Sequence, residues 1–281
     1  VWTVKEKHGL PADLENRLIP LFRALQKAEN FGVLTANPKR IEKLNLDSAL
    51  RLTAADGKVT ELTFGKTTDD GLGAAASLAD GQGGAQVVRT SFTGFLEADP
   101  VNWFDPVLFT AKGEELRALT FTWPDGTQTF ARAEKGKPFA GKEGAVLEEM
   151  SNVLMTLRAN DAVAKGDKDA AAAFAKPWSI QLELFDGAKV TLTLAQTAAT
   201  SPNESPKLWM RVAHSDPKHK ANGMTAKAEF IAPPWLAEQL PATLADFRKA
   251  VEPPPAGPAP GAGPTFNIPG LGPISAPPGL K

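Results

Sequence analysis

The chain has 281 residues, no cysteine, and 31 basic residues against 32 acidic ones. The absence of cysteine excludes disulfides, thiol catalysis and thiolate metal sites, and the balanced charge argues against a dedicated nucleic-acid-binding protein, which usually carries a large basic excess. The length fits two domains of ordinary size, and no run of apolar residues is long enough to predict a transmembrane helix.

The chain opens with a predicted short strand at 2–5 and an amphipathic helix at 12–29. Pro11 suits the first turn of a helix. Pro20 predicts a kink or break within it, because proline has no backbone N–H to donate. Further on, apolar and polar residues alternate over 50–64 on both sides of Asp56-Gly57. This pattern predicts a β-hairpin covered on one face, since Asp-Gly supplies the positive φ angles of a tight turn.

Two glycine-bearing segments invite a nucleotide-binding interpretation that their context does not favour. Gly71-Leu72-Gly73 is followed by further loop residues where a Rossmann unit needs a long helix. The segment 136–142 has the glycine spacing and lysine of a phosphate loop, but Glu143 stands where a hydroxyl should reach magnesium, and Pro138 removes a donor. We therefore interpret both segments as connectors and expect no nucleotide cofactor.

A second hairpin of the same design is predicted over 116–132, with its turn at Asp125-Gly126. A helix is predicted at 143–160, because its apolar residues recur at steps of three and four. Glu148 and Glu149 lie off that apolar stripe, so we expect them on a solvated helix face.

The clearest hairpin pattern is at 178–194, which alternates strictly around Asp186-Gly187. A strand candidate follows at 208–213. A last helix is predicted at 234–249, and Pro241 favours a break in it.

No convincing catalytic constellation emerges from these residues. The sequence has no Gly-x-Ser-x-Gly nucleophile elbow, and adjacent carboxylates point apart on either a strand or a helix. His214 and His219 flank Asp216, but two neighbouring lysines favour a solvated loop over a metal site. Six tryptophans could form a sugar-stacking platform, although Trp123 and Trp178 share strand faces with core residues. We expect no catalytic residues, no cofactor and no metal.

The segment 251–281 holds ten prolines and six glycines, which is typical of an extended, polyproline-like tail. One interpretation is a loose spacer. The other is a docking strip for a protein partner, because a polyproline segment with spaced apolar residues can lie in an aromatic-lined groove. The candidate docking residues are Phe266, Ile268, Leu271 and Ile274.

The order of predicted elements repeats along the chain, with Gly57 and Gly187 lying 130 positions apart. We interpret this as the internal duplication of an α+β unit, with a first repeat at 1–112, a second at 113–250 and the tail at 251–281. The strand and turn at 116–126 have no counterpart in the first repeat. The native protein is therefore expected to extend upstream, with a missing strand and a membrane anchor or signal.

Several short segments together resemble a bacterial envelope family, the domain of unknown function 4340 (DUF4340). They are Trp2-Thr3-Val4, Pro11-Ala12-Asp13, Asn37-Pro38, Leu44-Asn45-Leu46-Asp47, Leu50-Arg51-Leu52-Thr53, Leu62-Thr63-Phe64-Gly65-Lys66, Phe95-Leu96 and Trp103-Phe104-Asp105. The resemblance spans residues 1 to about 125 well and 126–250 loosely. It implies a membrane-anchored, non-cytoplasmic protein of repeated α+β units, often encoded beside subunits of gliding-type ABC transporters. It carries over no catalytic or ligand residues.

The sequence thus leads to an α+β fold of two repeated units, each an antiparallel sheet of β-hairpins with helices on one face, plus the Pro/Gly-rich tail. With the resemblance, the expected function is a non-enzymatic accessory or scaffold component of an ABC-transporter-like membrane complex. The protein would sit on the periplasmic side of the envelope, anchored through the upstream segment, with transporter subunits as its partners. The alternative is a module that binds cell-wall carbohydrate or peptide. The third is an enzyme with a scattered site.

Overall fold

The computed structural model describes residues 1–67, 74–78, 87–90, 98–197, 206–252, 265–268 and 272–275. The chain forms two compact units, each assembled from separate segments. Unit 1 comprises Val1–Leu108, Arg158–Ala171 and Lys218–Ala232, and unit 2 comprises Phe109–Leu157, Ala172–Pro217 and Pro233–Lys281. The predicted boundaries at 112 and 250 divide the chain into sequence repeats, whereas the two units are groups of residues in spatial contact. The repeat boundaries therefore stay predictions.

Helices and antiparallel strands are separate elements in this fold, which is α+β as the sequence predicts. The described part of the chain has seven α-helices: α1 (Ile19–Gln26), α2 (Pro38–Glu42), α3 (Gly144–Leu154), α4 (Lys168–Ala173), α5 (Lys220–Lys227), α6 (Pro234–Gln239) and α7 (Leu244–Val251). Its strands are β1 (Thr3–Val4), β2 (Leu10–Pro11), β3 (Asn30–Thr35), β4 (Ser48–Thr53), β5 (Val59–Thr67), β6 (Ala74–Leu78), β7 (Val87–Thr90), β8 (Val107–Thr110), β9 (Leu116–Trp123), β10 (Gly126–Ala131), β11 (Thr156–Arg158), β12 (Asp161–Ala164), β13 (Trp178–Leu184), β14 (Lys189–Gln196), β15 (Leu208–His214), β16 (Ala228–Ile231), β17 (Thr265–Ile268) and β18 (Gly272–Ser275). Short helical turns occupy Lys5–Lys7, Leu14–Leu18, Pro100–Asn102 and Gly113–Glu115.

Unit 1 contains a five-stranded antiparallel sheet in the order β3-β7-β6-β5-β4. Its core joins Leu21 of α1 to Phe64 of β5 and Ala76 of β6, and Trp103 packs against them. The predicted helix at 12–29 is broken as expected. A π-helical turn ends at Leu18, and α1 then starts at Ile19 with Pro20 in its first turn.

Ion pairs and hydrogen bonds connect the three chain segments that make up unit 1. Lys7 contacts Asp161 of β12, and Lys227 Nζ donates to the carbonyl of Gly9 at 3.0 Å. Lys220 Nζ lies 2.8 Å from Asp105 Oδ2. β12 also pairs with β16. Distant parts of the sequence therefore complete the first unit, which composition and periodicity did not predict.

Unit 2 is built on five antiparallel strands in the order β10-β9-β13-β14-β15. The hairpins predicted at 116–132 and 178–194 are confirmed, and β9 of the first pairs directly with β13 of the second. One face of this sheet is buried on β9, β13 and β14 and half-buried on the edge strand β10. Phe247 of α7 packs on it, 5.6 Å from Phe121 and 5.5 Å from Trp123 between ring centroids.

Two predicted helices differ in part from the observed ones. The helix predicted at 143–160 ends at Leu154, because residues 156–158 form β11 instead. Leu157 is nevertheless buried, as its place in the apolar stripe suggested. The helix predicted at 234–249 is broken into α6 and α7 around Pro241, as expected.

The β4–β5 and β13–β14 hairpins share one register at a separation of 130 positions. Leu50 pairs with Leu62, and Ile180 pairs with Leu192. Each turn glycine has a positive φ, 83° at Gly57 and 89° at Gly187, as a tight turn requires.

The same separation relates the short helices that precede these hairpins. The Asn37 side chain accepts a hydrogen bond from Lys39 N at the start of α2. The Asp167 side chain accepts from Asp169 N and Ala170 N at the start of α4. Equal spacing of a capped helix and a hairpin of one register supports the interpretation of an internal duplication.

Candidate functional site

The histidines act as local backbone partners. His214 Nδ1 accepts a hydrogen bond from Asp216 N at 2.9 Å, and His219 Nδ1 accepts from Ala221 N at the start of α5. His8 has a left-handed φ of 57° at the end of a helical turn. Within the described residues, no group of three or more histidine, aspartate and glutamate side chains is placed to hold a metal ion.

The connector at 136–142 meets a carboxylate of the protein itself. Glu148 Oε1 accepts the N–H of Phe139 at 2.9 Å, and Glu148 Oε2 lies 2.6 Å from Arg132 Nη2. The Arg132 guanidinium also stacks 4.7 Å from the centroid of the Phe139 ring. The expectation that Glu148 lies on a solvated face is therefore wrong, because Arg132, from the end of the neighbouring hairpin, reaches its carboxylate.

Unit 1 has a polar cavity of about 640 Å³, lined in part by Asp13, Asp99, Asp161, Arg17 and Arg158. Its three carboxylates have structural partners. Asp13 accepts from Asn16 N and Asp99 from Val101 N at helical-turn starts, and Asp161 pairs with Lys7. The first two contacts are local and begin helical turns, and the third joins two chain segments of unit 1, so we interpret the cavity as a junction of the unit.

Unit 2 has a groove of about 740 Å³ on the outer face of its sheet. Its floor carries four hydroxyl side chains, Thr122 of β9, Ser179 of β13, and Thr191 and Thr193 of β14. Thr122 is exposed, and the other three are half-buried. None of the four hydroxyls has a hydrogen-bond partner among the residues that the structure describes, so all four are available to a ligand. Sequence reasoning missed this site, and the alternating threonines were its only signal.

The tryptophans predicted in the core lie there. Trp123 is 4% exposed and Trp178 is 6% exposed. Trp123 Nε1 donates to the carbonyl of Pro241 at 2.9 Å. Both residues also border the groove, but their burial argues against a sugar-stacking platform of exposed rings.

The β4–β5 hairpin of unit 1 keeps its apolar residues only partly covered. Leu50, Leu52 and Leu62 are half-buried, whereas Ile180, Leu182 and Leu192, at the matching positions of β13–β14, are completely buried. The two hairpins share a register, so the difference lies in what covers them. Leu50 and Leu62 pack against the core of unit 1, and Leu52 offers partly exposed apolar surface that the matching Leu182 does not.

The predicted docking residues of the tail fall partly within two short strands. The register of β17 and β18 places Phe266 opposite Ile274 and Ile268 opposite Gly272. Leu271 and the glycine-rich segment at 71–73 lie outside the described residues. Among the helices that the structure describes, none is both long and apolar enough to cross a bilayer.

The fold defines an α+β protein with antiparallel sheets. The family model for a domain of unknown function, DUF4340, matches residues 2–177. This match covers more than half of the chain, so the chain belongs to the DUF4340 family, as the sequence resemblance indicated. Comparison with curated proteins and with solved structures finds no match.

Proposed function

We propose that this protein is a non-enzymatic accessory or scaffold component of an ABC-transporter-like membrane complex of the gliding type. It acts on the periplasmic side of the cell envelope. The DUF4340 resemblance implies this class of complex, because members of the family are often encoded beside subunits of gliding-type ABC transporters. The structural observation that carries a docking role is the partly covered apolar face of the β4–β5 hairpin.

The matched hairpins make this face informative. In the β13–β14 hairpin, Leu182 and Leu192 are completely buried, so this face of the hairpin serves only as core. In β4–β5 the matching Leu52 and Leu62 stay half-buried. Apolar surface on a sheet that is retained in solvent is typical of a protein–protein contact.

The polar residues of the same hairpin favour a specific orientation for the partner. Arg51 and Glu61 are cross-strand neighbours that form an ion pair, 2.6 Å between Arg51 Nη2 and Glu61 Oε2. They alternate with Leu50, Leu52 and Leu62 and therefore lie on the opposite face. Leu50 and Leu62 pack against the unit's own core of Leu21, Phe64 and Ala76. The partner accordingly meets the leucine face at Leu52, nearer the turn, and the charged face remains in solvent.

Co-purification from the native host tests this proposal. The protein would carry a carboxyl-terminal tag and be extracted from membranes in mild detergent, and bound proteins would be identified by mass spectrometry. Transporter subunits are expected with the wild type and lost with Leu52→Lys. Thr53→Lys, an exposed neighbour on the opposite face, is the matched control and should retain them. Recovery of the wild-type protein alone would exclude the scaffold role.

The location has its own test, which the lack of cysteine makes simple. A Glu114→Cys variant introduces a single thiol at an exposed position. A membrane-impermeant maleimide should label it in cells whose outer membrane alone has been permeabilised, and the cysteine-free wild type should stay unlabelled. Labelling only after lysis of the inner membrane would contradict the proposed location.

A second function, the binding of cell-wall carbohydrate, is favoured by one specific observation. The groove of unit 2 carries four hydroxyls without hydrogen-bond partners in the described part of the chain. The groove is separate from the β4–β5 hairpin of unit 1, on which the scaffold role rests.

A further inference from the structure

The floor of the unit 2 groove is an ordered row of hydroxyls. Ser179 of β13 pairs in register with Thr122 of β9 on one side and with Thr193 of β14 on the other. The Cα atoms of direct cross-strand neighbours in an antiparallel sheet lie about 4.5–5.5 Å apart. The three hydroxyls therefore form a straight row across three strands, and Thr191 adds a fourth two residues along β14.

The backbone beneath this row is already engaged. β9 lies between β10 and β13, and β13 lies between β9 and β14. Both edges of these strands are thus paired, so a peptide cannot bind here by adding a strand. A ligand of the groove has to be recognised through side chains alone.

The walls of the groove are apolar and almost uncharged. Pro124 borders one part, and Ala175 and Pro177 border another, while Lys176 is the one ionisable residue in the lining. A single lysine is too little charge for a nucleic-acid strand, whose affinity comes from many phosphate contacts. The lining has no carboxylate to neutralise a cationic ligand.

Hydroxyl rows between apolar walls match the chemistry of a sugar chain. A hydroxyl both donates and accepts, as do the hydroxyls along the edge of a pyranose ring. Proline rings and threonine methyl groups can pack on the C–H faces of that ring. The spacing between strands is close to the length of one sugar unit, so successive hydroxyls can contact successive units.

We propose that this groove binds an uncharged oligosaccharide, with Thr122, Ser179 and Thr193 as the central hydrogen-bonding residues. The inference does not depend on the scaffold role, which rests on a hairpin of unit 1. An envelope scaffold with this groove would hold a glycan strand as well as a protein partner.

Titration of the full 281-residue chain with cellotetraose and with the tetramer of N-acetylglucosamine tests the proposal. Calorimetry should show saturable binding of at least one tetrasaccharide. In spectra of the threonine methyl groups, the shifts should be confined to Thr122, Thr191 and Thr193. Absence of shifts at these methyls with both tetrasaccharides would overturn the proposal, and this readout needs no variant.

Variants then assign the contacts. Ser179→Ala and Thr193→Val each remove a hydroxyl and should weaken binding about three- to tenfold, the usual effect of one hydrogen bond. Thr127→Val is the matched control, because Thr127 pairs with Thr122 in the same row but lies outside the groove. Equal weakening by Thr127→Val and Ser179→Ala would contradict the assignment. Leu52→Lys, which tests the scaffold role, should leave oligosaccharide affinity unchanged.

Discussion

Arg132 and Glu148 form an ion pair in unit 2, with 2.6 Å between Arg132 Nη2 and Glu148 Oε2 and only 4% of the Arg132 side chain exposed. Arg132 follows β10, and Glu148 lies on α3. The same carboxylate accepts the N–H of Phe139, and Arg132 Nη1 donates to the carbonyl of Gly113. One pair of residues thereby fixes the sheet, the connector and the helix to one another.

Removing one partner of this pair should destabilise the protein clearly. Glu148→Gln leaves a buried guanidinium without its counter-ion, and we expect the free energy of unfolding to fall by about 2–3 kcal/mol. Urea denaturation followed by circular dichroism measures this change. Glu149→Gln is the control, since Glu149 is exposed and should change stability by less than about 0.5 kcal/mol. Equal effects of the two substitutions would show that the ion pair contributes nothing.

Two buried tryptophans give a matched test of one hydrogen bond. Trp123 Nε1 donates to the Pro241 carbonyl, whereas Trp178 Nε1 is buried without a partner in the described part of the chain. Both substitutions by phenylalanine lose similar apolar area, but only Trp123→Phe leaves a carbonyl unsatisfied. Trp123→Phe should therefore lower the free energy of unfolding by about 1–2 kcal/mol more than Trp178→Phe. A larger loss at Trp178 in thermal or urea unfolding would refute this account.

Local patterns in the sequence predicted the hairpins well, because each rests on neighbouring residues. Alternation around Asp186-Gly187 determines both the buried face and the turn, and β13–β14 follows it from Trp178 to Leu194. The break at Pro20 has an equally local cause, the missing N–H donor. These features need no knowledge of the remaining chain.

Features that depend on distant pairing were not predictable in this way. The row of Thr122, Ser179 and Thr193 exists because β13 pairs with β9, and nothing in either hairpin alone requires that pairing. Glu148 was assigned to solvent because Arg132 lies 16 positions away and on another element. The three-segment composition of unit 1 likewise follows from tertiary contacts.

Gly65 on β5 should not tolerate a side chain. A Cβ at this position would lie 2.4 Å from the carbonyl oxygen of Leu44, which is backbone and cannot rotate away. Gly65→Ala should cost about 1–3 kcal/mol through overpacking, measured as a lower midpoint in thermal unfolding. Gly223 is the control in the same unit, because it lies in α5 with no heavy atom within 4 Å of an added Cβ. Gly223→Ala should stabilise by up to about 1 kcal/mol, and a loss there equal to that at Gly65 would contradict the steric explanation.

The contact between Lys7 and Asp161 should hold β12 to the amino-terminal segment of unit 1. The Lys7 side chain is only 14% exposed, whereas Lys220, which pairs with Asp105, is 44% exposed. Solvent screens the exposed pair, so Lys220→Met should change stability by less than about 1 kcal/mol. Lys7→Met leaves a partly buried Asp161 without its cation and should cost about 1–2 kcal/mol. Hydrogen exchange provides the local readout: the amides of Asp161–Ala164 should exchange faster in Lys7→Met and stay unchanged in Lys220→Met. Unchanged exchange in both variants would mean that the pairing of β12 with β16, rather than Lys7, holds this strand in place.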